Sequence, residues 1–140
     1  MPNWPKKNKR EGIDEYGRTP FWESCFKGDL AAVKKELASG FDPNVGDDQG
    51  YTPLQIAIQE KHKDVINLLL ENGADINQVD KNGNSTMWTA VHNWRQEYDV
   101  ILLLLNNGAD PSIENNYGNS PLSVLQASDN EEVLKLIKNY

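Results

Sequence analysis

The chain of 140 residues has one cysteine, two histidines and no apolar run of membrane-spanning length. A lone thiol, Cys25, excludes an intramolecular disulfide and fits a reducing, cytoplasmic setting. A bilayer-crossing helix needs roughly 20 consecutive apolar residues; Leu and Ile occur here only in short clusters, so no membrane association is expected. The opening stretch "MPNWPKKNKREG" is basic, with no apolar segment behind it to make a secretory signal. His62 and His92 stand 30 apart, and neither shows an HExxH or Cys–His zinc spacing. The glycines sit in turn-like text and form no phosphate-cradling loop. The residue inventory therefore offers no catalytic set, no metal site and no cofactor site, and an enzyme is not expected.

Positive charge is also scarce. The net charge is −7. Lys6, Lys7, Lys9 and Arg10 against Glu11 make residues 1–13 a tail of +3, which leaves −10 for residues 14–140. A body that acidic repels nucleic-acid phosphates and speeds encounter with a basic protein surface. The "PKKNKR" run ahead of it reads as a solvated end.

What the chain has is self-similarity. Gly17, Gly50 and Gly83 are each 33 apart, and Gly118 follows after 35. Gly40, Gly73 and Gly108 keep the same spacing of 33 then 35. The text around the first series is "DEYGRTPFW", "DDQGYTPLQ", "DKNGNSTMW" and "NNYGNSPLS"; around the second it is "ASGFDPN", "ENGADIN" and "NNGADPS". In "TPLQIAIQ", Thr52 can cap a helix whose first turn accepts Pro53, and Leu54, Ala57 and Ile58 fall on one face. "HKDVINLLLENG" places Val65, Ile66, Leu69 and Leu70 on one face of a second helix, with Gly73 as a left-handed stop. "ADINQVDKNG" reads as a polar hairpin, and Asp42, Asp75 and Asp110 recur with it as turn residues.

A period near 33 with T-P-L-x-x-A text resembles the ankyrin repeat family over residues 14–140. The resemblance implies an all-α repeat solenoid: an ankyrin stack of four helix-turn-helix units with β-hairpin connections. The expected units are 14–46, 47–79, 80–114 with a two-residue insertion, and a capping unit 115–140, after the tail 1–13. One such unit cannot bury its apolar faces alone, whereas a stack can. Glu36 stands where the family has Leu, as at Leu69 and Leu104. Either an outermost unit tolerates the carboxylate or its helix is re-registered. His62 matches a family histidine and implies a structural role. Cys25 matches Ile58 and Val91 and is expected buried and inert.

The third unit departs from the pattern. It lacks the Pro of "YTPL", and its two extra residues fall within "VHNWRQEYD", between Ala90 and Asp99. Trp88, His92, Trp94, Arg95 and Tyr98 crowd this stretch, and Trp, Tyr and Arg dominate binding hot spots. Trp94 and Arg95 are expected exposed on the inserted turn; Trp88 stands open between burial and exposure. In the family, hairpin tips and the exposed side of the inner helices make a concave binding face. By position this assigns Glu15, Tyr16 and Arg18; Asp48, Gln49 and Tyr51; Lys81, Asn82 and Asn84; and Asn116, Tyr117 and Asn119 as tips. Phe26 and Lys27, Gln59 and Glu60, and His92 and Asn93 lie on the inner helices.

With no other domain expected, such a module acts in trans as a monomer that binds a protein with a basic surface. The chain also resembles small stand-alone bacterial ankyrin proteins that serve as immunity proteins, each inhibiting a cognate toxin. That resemblance lies in "DEYGRTPFWESCFKGDLAAVKKELASGFDPN", "GNSTMWTAV" and "NNGADPSIENNYGNSPLSVL". The alternative is an adaptor or scaffold that recruits a cellular or host partner.

Overall fold

The computed structural model describes residues 13–94 and 97–140. The expected basic tail, apart from Ile13, and Arg95 lie outside the described residues. Eight helices among the described residues form four pairs: α1 (Pro20–Lys27) with α2 (Leu30–Ala38), α3 (Pro53–Gln59) with α4 (Lys63–Glu71), α5 (Thr86–Asn93) with α6 (Tyr98–Asn106), and α7 (Pro121–Gln126) with α8 (Glu131–Leu136). The odd-numbered helices stack as an inner row, α1 on α3 on α5 on α7. The outer row packs α2 on α4 and α6 on α8. Between α4 and α6 lies an open groove of about 240 Å³ lined by Lys63, Ile66, Asn67, Asp99, Val100 and Leu103.

The repeated text builds each pair through the same local chemistry. Thr19, Thr52 and Ser85 cap α1, α3 and α5 through their hydroxyls. At Thr52 the bond is reciprocal: the Gln55 backbone N–H donates to the Thr52 hydroxyl (3.1 Å) and the Thr52 backbone N–H donates to Gln55 Oε1 (2.9 Å). Gly73, at φ +79°, follows α4 in the left-handed conformation that ends such helices. Leu54, Ala57, Ile58, Met87, Ala90 and Val91 of the inner row and Val33, Ile66, Leu69, Ile101, Leu104 and Val133 of the outer row form one buried core. α2 begins 33 residues before α4, at Leu30 against Lys63, so the helix carrying Glu36 keeps its register. The carboxylate takes the place of a core leucine: one oxygen accepts from the Ser24 hydroxyl (3.1 Å) and the other is buried without a partner.

The connections are turns rather than full hairpins; the single isolated β-bridge among the described residues joins Val79 to Ser85. Side chains do the work of ladder bonds. One carboxylate oxygen of Asp14, Asp47 and Asp80, and the amide oxygen of Asn115, each accept two backbone N–H groups of their own turn. Asp42, Asp75 and Asp110 likewise accept from Asn44, Asn77 and Ser112. Neighbouring turns are then tied across units, Asp48 N–H to Tyr16 O (2.9 Å), Lys81 N–H to Gln49 O (2.8 Å) and Asn116 N–H to Asn82 O (2.9 Å).

Loss of proline from the third unit leaves a trace. Pro20, Pro53 and Pro121 open their helices, whereas Thr86 opens α5 and its hydroxyl is buried without a partner. The first helical position has no intrahelical N–H bond to lose and favours proline's φ. Thr86→Pro is therefore expected to stabilise the fold by about 1 kcal/mol, read as a raised midpoint in urea with an unchanged m-value. A lower midpoint would show that Thr86 is needed where it stands.

Candidate functional site

The inserted turn is not where a partner meets an exposed tryptophan. From the start of α5 to the start of α6 is 12 residues, against 10 from α3 to α4. One extra residue lengthens the helix and the other falls between α5 and α6. This brings Trp94 back under the stack, only 1% exposed, with its indole N–H donating to the Ile58 carbonyl (3.0 Å). The ammonium groups of Lys61 and Lys63 lie 5.0 and 5.3 Å from the centre of its ring. They pair in turn with Glu97 and Asp99. The expected exposure of Trp94 is thus corrected. The ring is too large and apolar to stay in solvent when a gap between units can take it, and the insertion supplies the reach. His62 does the same one unit earlier, its Nε2 donating to the Phe26 carbonyl at 2.9 Å. Tyr98 also faces its own stack, donating its hydroxyl to Asp129 (3.0 Å).

The inner helices and turn tips hold a different set of side chains. Trp22, Gln55 and Trp88 occupy one position, 33 residues apart. The Trp22 indole N–H donates to the Tyr51 carbonyl (2.9 Å), and the Gln55 amide donates to the Asn84 carbonyl (3.1 Å). Each therefore ties its helix to the next turn. Trp88 makes no such bond. It is half-buried, with its ring centre 4.3 Å from that of His92, whose Nδ1 donates to the Trp88 carbonyl (2.8 Å).

Around these positions the expected contacts fall into separate groups. Arg18 lays its guanidinium 4.8 Å from the Tyr16 ring centre and 4.9 Å from that of Trp22. Trp22 stacks on Phe26 at 5.8 Å. Tyr51 is half-buried and donates its hydroxyl to Gln59 (2.9 Å), whose amide donates to Glu60 (3.3 Å). Burial pushes the Tyr51 phenol up, as do the nearby carboxylates of Asp80, Asp47 and Glu60, while the Thr89 hydroxyl of α5 works against them. Tyr16 is 55% and Tyr117 79% exposed, and Phe26, Gln49, Lys81, Asn82 and His92 are exposed. Asp48 is half-buried. Trp22 is the residue that inspection of the sequence passes over; its spacing from Gln55 and Trp88 was the available signal.

Cys25 is fully buried in the core, and burial, aided by the charge of Glu36, pushes its thiol up to about 12. An unfolded thiol ionises near 8.5. The unfolded chain thus loses its proton first, and stability falls as pH rises from about 8.5 towards 12. Native protein at neutral pH is expected to resist iodoacetamide until denaturant is added, as intact mass would show. Rapid native labelling would mean that α1 opens locally.

Among the described residues no three His, Cys, Asp or Glu side chains gather to hold a metal ion, and no helix is long and apolar enough to cross a membrane.

A family model described as ankyrin repeats in three copies matches residues 4–80 and stops at the residue that opens the altered third unit. Among curated proteins, the chain is 37% identical over 67 residues to an ankyrin repeat-containing protein, P1E11.10, of Schizosaccharomyces pombe, covering 48% of this chain and 32% of that protein. It is 45% identical over 58 residues to the 2-5A-dependent ribonuclease of Mus musculus, covering 41% and 8%. It is 40% identical over 50 residues to ankyrin repeat domain-containing protein 46 of Rattus norvegicus, covering 36% and 22%. The chain therefore spans a third or less of these relatives' lengths. With its 33-residue period, paired helices and tied turns, this chain belongs to the ankyrin repeat family of protein-interaction modules.

Proposed function

We propose that the chain binds a basic protein through the face made by its turn tips and inner helices, and that binding inhibits the partner, as an immunity protein inhibits its cognate toxin. The observation that carries this reading is the exposed set Tyr16 and Tyr117 on the turns and Phe26 and His92 on the inner helices, in a body of charge −10. Aromatic side chains on a rigid frame bind with little loss of conformational freedom. Complementary charge speeds encounter and covers a cationic groove that would otherwise take an anionic substrate. Relatives from fission yeast, mouse and rat favour the second reading, an adaptor that recruits its partner without inhibiting it.

The test is affinity capture from the native source, with the native chain and a Phe26→Ala/Gln59→Ala/His92→Ala variant as baits. An Asn67→Ala/Asn106→Ala variant on the outer helices serves as control. The expected partner is basic, is lost at high salt, and is retained by the control but not by the inner-face variant. Its isolated activity then falls on mixing with one equivalent of the chain. Retained activity would give the adaptor reading; an acidic partner, or one indifferent to the inner-face variant, would overturn both.

A further inference from the structure

Trp88 differs from its two counterparts in a way that points outwards. At this position the first two units spend a side-chain N–H on a backbone carbonyl of the following turn, Trp22 on Tyr51 and Gln55 on Asn84. The corresponding carbonyl for Trp88 is that of Asn119, which accepts from the backbone N–H of Asn115 but not from the indole. A tryptophan normally finds a partner for its N–H once its ring leaves water. Here the ring is half-buried on His92, and Tyr117 stands 79% exposed on the next turn.

The surroundings fix the charge of what would arrive. Tyr51, in the turn before α3, bonds to Gln59 at the end of that helix; Asp47 and Glu60, on either side of α3, and Asp80, before α5, put negative charge along the α3–α5 seam. The carboxylates of Asp47, Glu60 and Asp80 have no cation paired with them among the described residues. Among the described cations of this part of the stack, Lys61 and Lys63 are held by Trp94, Glu97 and Asp99, and Lys81 stands exposed at the turn tip beside Asp80.

We propose that Trp88 is the anchor of the partner interface: its indole N–H takes a backbone carbonyl from an arginine-rich loop of the partner protein, whose guanidinium groups meet the Trp88–His92 face and the carboxylates of the α3–α5 seam. This rests on the basic-partner reading above and adds where and how the partner is held. A guanidinium suits the place because it stacks on aromatic faces and pairs with carboxylates in one geometry.

The experiment uses the full chain and two synthetic peptides, an alternating Arg-Gly decamer and an alternating Glu-Gly decamer. The four tryptophans give separate indole N–H signals in a 15N correlation spectrum, and Trp88→Phe identifies one while keeping an aromatic ring. Thermal unfolding confirms that the variant is folded, and His92→Ala provides a second variant that leaves Trp88 in place. The expected result is a saturable shift of the Trp88 indole signal with the Arg-Gly peptide alone, larger than that of any other indole, with affinity roughly tenfold weaker in Trp88→Phe, about one lost hydrogen bond. Shifts confined to Tyr16, Phe26 and Tyr51 would overturn the Trp88 assignment and leave the basic-partner reading standing. An equal response to both peptides, or none to either, would overturn the arginine chemistry as well.

Discussion

Trp94→Ala is expected to lower unfolding free energy by about 3–5 kcal/mol, the range for emptying a buried aromatic site. The midpoint of thermal unfolding should fall by roughly 10–20 °C for a domain of this size. Three losses add up at one place: the core ring, the hydrogen bond to Ile58, and the platform that holds Lys61 and Lys63 towards Glu97 and Asp99. The position matters because the outer row is open between α4 and α6, so this ring joins the inner row, the tied turns and the Lys63–Asp99 pair in coupling the second and third helix pairs. In a stack whose stability is a sum of unit and interface terms, weakening one interface should also broaden the transition. Trp94→Phe keeps most of the volume and loses the N–H, so its cost should be nearer 1 kcal/mol. A Trp94→Ala midpoint within about 3 °C of native would show that the ring fills no essential space.

Gly28→Ala is expected to cost about 2–4 kcal/mol, combining left-handed backbone strain with displacement of a packed ring. Gly28 has φ +69°, and a Cβ there would lie 2.5 Å from His62 Nδ1 and 2.8 Å from its Cγ. The ring cannot swing away freely because its Nε2 is bonded to Phe26 O at 2.9 Å. The double variant Gly28→Ala/His62→Ala separates the two causes in a double-mutant cycle. It should recover the steric part and keep the backbone part. If the two losses simply add, the ring does not obstruct the new methyl and the strain at Gly28 accounts for the whole effect.

Much of the fold is readable in the sequence because it is written four times. The 33-residue period sets the helix pairs, and Thr52, Pro53 and Gly73 mark helix starts and stops through local chemistry that needs no distant partner. The recurrent aspartates are legible for the same reason, since each bonds within its own turn. Trp94 was illegible because its place depends on how far an insertion reaches across to the preceding unit, a distance that periodicity does not carry. The loop argument that assigns it to the surface fails for a side chain long enough to return to the core. Trp22 is not legible as a joint for a related reason: it lies in the core, and its bond to the next turn appears only when two units are stacked. Of the expected contacts, Tyr16, Phe26 and Tyr117 are exposed where the tips and inner helices put them. Tyr51 is half spent on packing, and Trp94 and Tyr98 belong to the joints between units.

The measurement that bears most directly on the account is amide hydrogen exchange of the chain with and without its captured partner. Binding through the inner face should slow exchange in the turns 47–51, 80–84 and 115–119 and in α5, while α2, α4 and α6 exchange as before. Protection that instead appears on α4 and α6, along the open groove between them, would contradict it and place the partner on the outer row.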